Sequence, residues 1–262
     1  WIRTGTSGWR LDVADELPMP FLRELRRRAR STDPNAALIG EVWEDPTNKI
    51  TYGEARCYCA GDTLDSVMNY PLREAVLNFF TFKEDAFKLA RRIEAMRESM
   101  PASFFYSQMN LLGSHDKPRA INVLADCANM QPERRYRFPM ELTPDQYQRG
   151  KRRLIAAWTL ICALPGMPCI YYGDEAGLTG MADPFCRKAF PWGREDAQLQ
   201  EAIRAQAMRR RESRALRTGH MRLCAESADV LLIERYTEHG QDAFGQSAPD
   251  ERVCVRIDRT GL

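Results

Sequence analysis

Chemically capable side chains close five apolar runs of this sequence. Each run has the length of a β-strand, and each ends in carboxylates, amides, arginines or a histidine. In chain order these terminal residues are Arg10, Asp12 and Asp15; Glu41 and Glu44; Asn69 and Tyr70; His115, Asp116 and Arg119; and Asp174 and Glu175. Parallel α/β proteins bind ligands at the carboxyl ends of their strands, and barrels take catalytic groups from several strand ends. The pattern therefore predicts one active site built from five strands.

The first of these runs reads GWRLDVADE and places charges on one face of a strand. Because side chains alternate along a strand, the apolar Trp9, Leu11 and Val13 should share one face. Arg10 and Asp12 should share the other. A purely structural ion pair between Arg10 and Asp12 would give the same pattern, since buried charges are usually paired.

The residue types available in this sequence limit the reactions that such a site could catalyse. The sequence has neither a glycine-rich phosphate cradle nor a nucleophile elbow, and its histidines are His115, His220 and His239. The eight cysteines form no CxxC pair, which suggests neither a zinc site nor a redox motif and fits a reducing compartment. Glycoside hydrolysis fits better, because it needs one carboxylate as nucleophile or base and one carboxylic acid that donates a proton.

Four segments also resemble the motifs of a known family. GWRLDVADE is similar to the fourth-strand motif of the α-amylase family of glycoside hydrolases, GEVWE at 40–44 to its fifth-strand motif, and LLGSHDKPR at 111–119 to its seventh-strand motif. The segment 165–192 resembles the eighth strand and the loop that follows it. The resemblance covers nearly the whole chain and indicates the neopullulanase and cyclomaltodextrinase-like branch of the family.

This resemblance implies a role for each matching residue. Asp12 would be the nucleophile, Glu41 the general acid and base, and Asp116 the carboxylate that stabilises the transition state by gripping sugar hydroxyls. Arg10 would bind at the substrate site and hold Asp12 ionised, since a nearby cation lowers a carboxylate pKa. The other substrate-binding residues that the resemblance implies are His115, Arg119, Asp183 and Arg187. The two further acidic residues near these motifs fit caps or surface charges and are left out of the catalytic set: Asp15 and Glu44.

The activity that the resemblance implies is hydrolysis of α-glucans by a retaining double displacement. The expected bonds are α-1,4, with α-1,6 left open, in maltodextrins, cyclodextrins or pullulan. Transglycosylation through the same covalent intermediate stays open, as do an inactive fragment and a non-enzymatic glucan-binding relative. Such a relative would be expected to lose Asp12 or Glu41, and both are present. The family implies no required cofactor; it allows Ca²⁺, for which the sequence shows no clear ligand set.

The elements that must position these residues predict an α/β fold. Apolar strands alternate with helical patterns, which indicates a parallel sheet covered on both faces. Strands are expected near 8–13, 37–43, 64–70, 109–116 and 168–175, and helices near 20–30, 71–80, 85–100, 143–163 and 199–216. After Gly219 three short runs predict antiparallel strands instead.

In terms of the family, residues 1–219 would form strands four to eight of a TIM (β/α)8 barrel, its C-terminal half. Residues 220–262 would begin an all-β C-terminal β-sandwich domain. The third-strand motif of the family is absent, so the chain is expected to begin just before the fourth strand. An open half barrel exposes two sheet edges. We expect either a longer natural protein or pairing of two copies, a homodimer, to cover them.

Charge and hydropathy argue against polyanionic or membrane partners. Lysine and arginine total 38 against 36 acidic residues, a formal net charge of +2, and the arginine-rich stretches fit solvated helix faces rather than nucleic-acid binding. The longest apolar run, 154–172, is interrupted by PGMP and predicts a buried helix followed by a buried strand. The predicted location is cytoplasmic, although the chain starts at Trp1, which leaves a signal peptide open.

Overall fold

A computed structural model of the chain describes residues 1–127 and 141–261. Its strands are β1 (Gly8–Leu11), β2 (Ala37–Gly40), β3 (Ile50–Thr51), β4 (Glu54–Ala55), β5 (Ser66–Val67), β6 (Met109–Leu111), β7 (Met167–Cys169), β8 (His220–Ala225), β9 (Val230–Thr237) and β10 (Glu251–Asp258). Its α-helices are α1 (Met19–Thr32), α2 (Tyr70–Phe80), α3 (Ala86–Ser99), α4 (Ala102–Tyr106), α5 (Ala120–Leu124), α6 (Pro144–Ala163), α7 (Ala197–Glu212) and α8 (Arg214–Thr218).

Five of the described strands are parallel and follow one another in chain order. β1 pairs with β2 and β2 with β5, while β6 pairs with β7. A parallel bridge between Met68 and Met109 joins the two groups. Helices lie between β1 and β2, between β5 and β6 and between β6 and β7, which confirms the predicted alternation there. Between β2 and β5 the chain instead forms the hairpin β3–β4 and a short 3-10 turn. Because the strands are parallel, their carboxyl ends lie on one side of the fold.

The C-terminal strands β8, β9 and β10 form an antiparallel sheet in the order β10–β9–β8. This confirms the change of pattern predicted after Gly219. The boundary between two domains at that point stays a prediction.

Two local features differ from the sequence prediction. An antiparallel hairpin, β3–β4, lies between β2 and β5; its strands have two residues each, too few to show an alternating pattern. The single helix predicted over 199–216 is wrong, because α7 ends at Glu212. The Ser213 hydroxyl accepts the N–H of Leu216 at 3.0 Å and caps α8. Serine favours such caps since its side chain bonds the backbone locally.

The long apolar run forms a helix and then a strand, as predicted. A capping box between Thr143 and Gln146 begins α6, which ends before β7. The expectation of a fully buried strand is wrong, because Met167 is exposed and β7 pairs on one side only within the described residues. In residues 1–127 and 141–261, none of the helices combines the length and the apolar character that crossing a membrane requires.

Gly40 ends β2 directly before a candidate catalytic residue. A Cβ atom at this position would lie 2.5 Å from Leu64 Cδ1 and 3.2 Å from Ala14 Cβ. The absence of a side chain at Gly40 lets Ala14, in the segment after β1, and the Leu64 side chain pack closely against the end of β2. That close approach brings the two strand ends, and the residues after them, side by side.

Two buried arginines, Arg210 and Arg235, hold the end of α6 against the C-terminal sheet. Arg210 donates to the carbonyl oxygens of Cys162 at 2.7 Å and Leu164 at 2.9 Å. Arg235 donates to Ala163 O at 2.7 Å and to further carbonyl oxygens between the end of α8 and the start of β8. The last carbonyl groups of a helix have no partner within it, so these guanidinium groups supply the missing donors.

Replacing Arg235 with methionine should lower the free energy of unfolding by on the order of 3 kcal/mol, because several buried carbonyl oxygens would lose their donor. Arg252→Met is the matched control, since Arg252 lies on the adjacent strand β10 and is exposed. Denaturant unfolding of both variants measures the difference. An equal change in the two would contradict the role assigned to Arg235.

Candidate active site

A cleft of about 710 Å³ lies at the carboxyl ends of the parallel strands. Its lining residues are Asp12, Val13, Asp15, Glu16, Glu41, Trp43, Glu44, Lys49, Thr51, His115, Asp116 and Asp183. The three carboxylates predicted to be catalytic therefore line one cleft, together with two of the residues predicted to bind substrate. Their chemical roles stay predictions.

The register between β1 and β2 places Asp12 and Glu41 side by side. Leu11 lies opposite Gly40, so each carboxylate comes one residue past the end of its strand. The backbone N–H of Glu41 donates to Leu11 O at 2.9 Å and continues the ladder by one step. Two parallel strands that end level with each other thus deliver two carboxylates to the same place.

Arg10 lies between these two carboxylates. Its Nη1 donates to Asp12 Oδ1, and its Nη2 lies 3.0 Å from Glu41 Oε1. The hydrogen bond from Arg10 holds the pKa of Asp12 below its usual value. The Asp12 side chain is 74% exposed and that of Glu41 only 7%. The Arg10 guanidinium therefore contacts both the exposed carboxylate of Asp12 and the buried carboxylate of Glu41.

Glu41 also accepts hydrogen bonds from two residues that sequence reasoning did not identify. The backbone N–H of Val13 donates to Oε2 at 2.9 Å, and the indole Nε1–H of Trp43 donates to Oε1 at 3.1 Å. Both carboxylate oxygens are therefore held. The side chain has a fixed orientation, as a positioned acid or base requires.

The predicted place of Val13 on the apolar face of a strand is wrong. β1 ends at Leu11, and Val13 is 47% exposed with a φ of 44°. The left-handed region is costly for a β-branched residue, and such strain clusters at functional sites. Here the unusual turn aims the Val13 N–H at Glu41. No feature of the sequence other than the family motif marks this position.

His115 and Asp116 follow β6 and contact each other. His115 Nε2 lies 3.1 Å from Asp116 Oδ2, and the backbone N–H of Asp116 donates to Ser114 Oγ at 3.3 Å. Both side chains are partly exposed to the cleft. Imidazole and carboxylate groups at this position can bind sugar hydroxyls by donating and accepting hydrogen bonds.

The predicted loop pair, Asp183 and Arg187, joins this side of the cleft. Arg187 Nε lies 2.7 Å from Asp183 Oδ1 and donates to His115 O at 3.1 Å. Its Nη2 lies 3.5 Å from Asp116 Oδ1. The structure therefore brings both residues to the cleft wall, where Asp183 is in the lining itself.

The substrate-binding role expected for Arg119 is wrong. Its side chain is fully buried, donates to Cys186 O at 2.8 Å and to Tyr172 O, and lies 3.1 Å from Asp174 Oδ1. A guanidinium enclosed in this way cannot contact a sugar. It anchors both ends of the loop that carries Asp183, so it supports the cleft wall from behind.

Asp174, the acidic partner of Arg119, is buried with it. A Cβ atom at Gly113 would lie 2.3 Å from its Oδ2, so glycine is what makes room for the carboxyl group. Burial raises the pKa of Asp174 to about 6, although the Arg119 guanidinium opposes that rise. The predicted polar ending of the fifth strand is thus structural rather than part of the cleft lining.

The β3–β4 region forms another wall. Lys49 Nζ lies 2.9 Å from Asp15 Oδ2 and also contacts Glu44, while the Tyr58 hydroxyl donates to Asp15 Oδ1 at 2.7 Å. Asp15 and Glu44 both line the cleft. Glu44 is 65% exposed, as a surface charge would be, whereas Asp15 is largely buried, and the two share one lysine that no motif marked.

This arrangement suits acid–base and nucleophilic chemistry on a polar substrate. Two carboxylates of contrasting exposure can divide the roles of nucleophile and proton donor. Within the described ranges, no group of three or more His, Cys, Asp and Glu side chains is placed to hold a metal ion. The expectation that the protein can bind Ca²⁺ without requiring it stays a prediction.

Known proteins share this sequence and fold. The family model described as Alpha amylase, catalytic domain matches residues 1–226. An amylopullulanase from Thermoanaerobacter thermohydrosulfuricus is 37% identical over 268 residues, which is 97% of this chain and 17% of that protein. A cyclomaltodextrinase from Geobacillus thermopakistaniensis (strain MAS1) is 36% identical over 265 residues, which is 99% of this chain and 38% of that protein.

A solved structure agrees with these relatives. The ligand-free form of a cyclic α-maltosyl-(1→6)-maltose hydrolase from Arthrobacter globiformis has a TM-score of 0.78 at 31% identity, and the match covers 98% of this chain and 50% of that one. The chain spans half or less of the length of each of these three proteins. The match to a cyclomaltodextrinase agrees with the branch that the motifs indicated.

Asp174 should make stability depend on pH in a direction opposite to that of most carboxylates. Because its pKa rises from 3.8 when unfolded to about 6 when folded, the folded chain holds a proton between those values that the unfolded chain has lost. The free energy of unfolding should fall as pH rises through this window, by on the order of 3 kcal/mol. Urea titrations at pH 4 and pH 6.5 should show a smaller fall in Asp174→Asn. Identical pH dependence in both chains would contradict the shift.

Proposed function

The chain belongs to the α-amylase family of glycoside hydrolases, and on that premise we propose that it hydrolyses α-glucosidic bonds by a retaining double displacement. The substrates we propose are maltodextrins, cyclodextrins or pullulan, cleaved at α-1,4 bonds and, as an extension, at α-1,6 bonds. The similar proteins support this class, because they include an amylopullulanase, a cyclomaltodextrinase and a cyclic α-maltosyl-(1→6)-maltose hydrolase.

In the first step, an oxygen of Asp12 attacks the anomeric carbon. The bond from that carbon to the glycosidic oxygen breaks, and Glu41 gives its proton to the departing oxygen. A covalent glycosyl ester on Asp12 remains. In the second step, Glu41 removes a proton from water, the water oxygen attacks the anomeric carbon, and the Asp12 carboxylate leaves. Two inversions at one carbon restore the original configuration.

The Arg10 guanidinium shared by Asp12 and Glu41 supports these roles most directly. It keeps the exposed Asp12 ionised, as a nucleophile must be, and it stands beside the shielded Glu41. Asp12 is open to the cleft and paired with a cation, as a nucleophile must be, while Glu41 is enclosed and has both oxygens held, as a positioned acid and base must be. The two environments therefore match the two chemical roles.

Asp116 and His115 would bind hydroxyls of the sugar that reacts with Asp12. Asp116 is itself contacted by Arg187, and the pair with His115 fixes its second oxygen. Hydrogen bonds to sugar hydroxyls that strengthen in the transition state lower the barrier. Asp183 would then shape the end of the cleft on the same side.

We also propose an architecture for the whole set of strands. The parallel strands β1, β2, β5, β6 and β7 would be strands four to eight of a TIM barrel, and β8–β10 would begin a C-terminal β-domain. Two observations support this proposal: the order of the parallel strands, and the match of the α-amylase catalytic-domain model to residues 1–226. Catalytic groups at the carboxyl ends are what such a barrel requires.

Asp12→Asn should abolish the release of reducing sugar from maltohexaose and β-cyclodextrin, with a loss of at least about a thousandfold, because no covalent intermediate can form. Asp62→Asn is the matched control: its carboxylate also pairs with an arginine, Arg23, at 2.6 Å, but outside the cleft. Product analysis separates hydrolysis from transfer to a second sugar. Absence of release by the unaltered chain would refute the claim that these 262 residues act alone as an enzyme.

Glu41→Ala should lose about 10²- to 10⁴-fold in turnover of maltosyl fluoride, and sodium azide should restore much of it. Azide needs no general base to attack the glycosyl ester on Asp12, and fluoride leaves without a strong acid. Fluoride release measures the rate, and NMR of the sugar azide shows its configuration. The matched control is Asp12→Ala, which forms no ester. In Asp12→Ala, azide can only displace fluoride directly, with one inversion, so its sugar azide should have the opposite configuration to that from Glu41→Ala. The same configuration from both variants would contradict the two roles.

A further inference from the structure

Trp43 lies between the buried carboxylate of Glu41 and the side chain of Lys117. Its indole N–H donates to Glu41 Oε1 at 3.1 Å, and the ammonium nitrogen of Lys117 lies 3.6 Å from the centroid of its ring. These contacts are made by residues from two different strand ends, since Glu41 follows β2 and Lys117 follows β6. The indole thus connects the two groups.

The charge of Lys117 is directed at aromatic rings rather than at an acid. Within the part of the chain that the structure describes, no carboxylate oxygen lies within 4.0 Å of its nitrogen, and the ring of Tyr70 provides a second face at 5.6 Å. Burial lowers the pKa of Lys117, as expected for an ammonium group partly withdrawn from water. A cation–π contact is stronger when the cation is desolvated in this way.

Trp43 also contacts the aromatic ring of Tyr70. Its ring centroid lies 5.2 Å from that of Tyr70, with the planes tilted by 35°. The Tyr70 hydroxyl donates to Ser114 Oγ at 3.2 Å, and the same oxygen accepts the N–H of Asp116 at 3.3 Å. Trp43 is nevertheless 43% exposed, so packing alone does not fix its orientation. The ammonium group of Lys117 adds a cation–π contact to this half-exposed ring.

We propose that Lys117 is a positioning residue for Glu41, acting through the indole of Trp43. Without the ammonium group, the Trp43 ring gains rotational freedom and its N–H no longer fixes Oε1 of Glu41. The residue then delivers its proton less effectively to the departing oxygen. This role rests on the proposed function of Glu41 as the acid, whereas the physical link from Lys117 to Trp43 does not.

The role predicts an effect that depends on the leaving group. A sugar oxygen leaves only when it is protonated, so its departure depends on a well-placed acid. Fluoride is a much better leaving group and depends less on that acid. A general loosening of the cleft would slow both substrates equally. The value of kcat/KM covers only the steps up to formation of the ester on Asp12, in which Glu41 acts as the acid. A fault in positioning Glu41 as the acid would therefore lower kcat/KM for the sugar substrate alone.

The experiment compares kcat/KM for maltotriose and maltosyl fluoride in four variants. Lys117→Met should lower the value for maltotriose about tenfold and change that for maltosyl fluoride by less than about threefold. Trp43→Phe, which lacks the N–H, should behave in the same way. Lys117→Arg keeps a cation over the ring and should restore most of the activity, and the exposed Lys83→Met is the control. Equal losses on both substrates would overturn the proposal.

A second measurement is independent of turnover. The chain has five tryptophans, so fluorine NMR of the 5-fluorotryptophan-labelled protein gives five signals, and Trp43→Phe identifies one of them. The Trp43 signal should move in Lys117→Met and in Glu41→Gln, but little in Lys117→Arg; the other four signals report intact folding. If no substrate is cleaved, the proposed function fails and this signal decides alone. An unmoved Trp43 signal in Lys117→Met would overturn the proposal.

Discussion

The cleft depends on one electrostatic constraint: a buried carboxylate, Glu41, must have a cation beside it, and Arg10 supplies that cation from the neighbouring strand. An unpaired charge in a shielded position is costly, so the pairing has to be built into the fold. The register of β1 against β2 achieves it, because Arg10 lies opposite Ile39 and Glu41 comes two residues later. Any slip of that register would separate Arg10 from Glu41 and reverse the faces of the strand.

The same arginine then serves two carboxylates whose surroundings differ. Asp12 stands at the open side of the cleft and is kept ionised by its hydrogen bond to Arg10. Glu41 is enclosed by the Val13 backbone and the Trp43 indole, which hold its two oxygens in place. The different surroundings of two identical functional groups thus arise from the shape of the loops around them rather than from the groups themselves.

The sequence predicted the parts of the structure that follow from short-range patterns. The five parallel strands, the capping box of α6 and the cluster of carboxylates at strand ends were each visible in runs of residues. Three features of the site were not. Val13 leaves the strand because of a positive φ that alternation cannot reveal, Lys49 reaches the cleft from a hairpin of minimal strands, and Arg119 turns inward. Each depends on contacts between segments far apart in the chain, which a pattern of neighbours does not encode.

The segment from His115 to Arg119 shows how closely these functions are packed. His115 and Asp116 face the cleft, Lys117 lies against Trp43, and Arg119 reaches behind the wall to the loop that carries Asp183. Five consecutive residues therefore contact three separate parts of the site. An insertion or deletion of one residue would redirect every one of these side chains at once. The spacing within this segment is consequently a physical requirement of the cleft, and not only a mark by which the family is recognised.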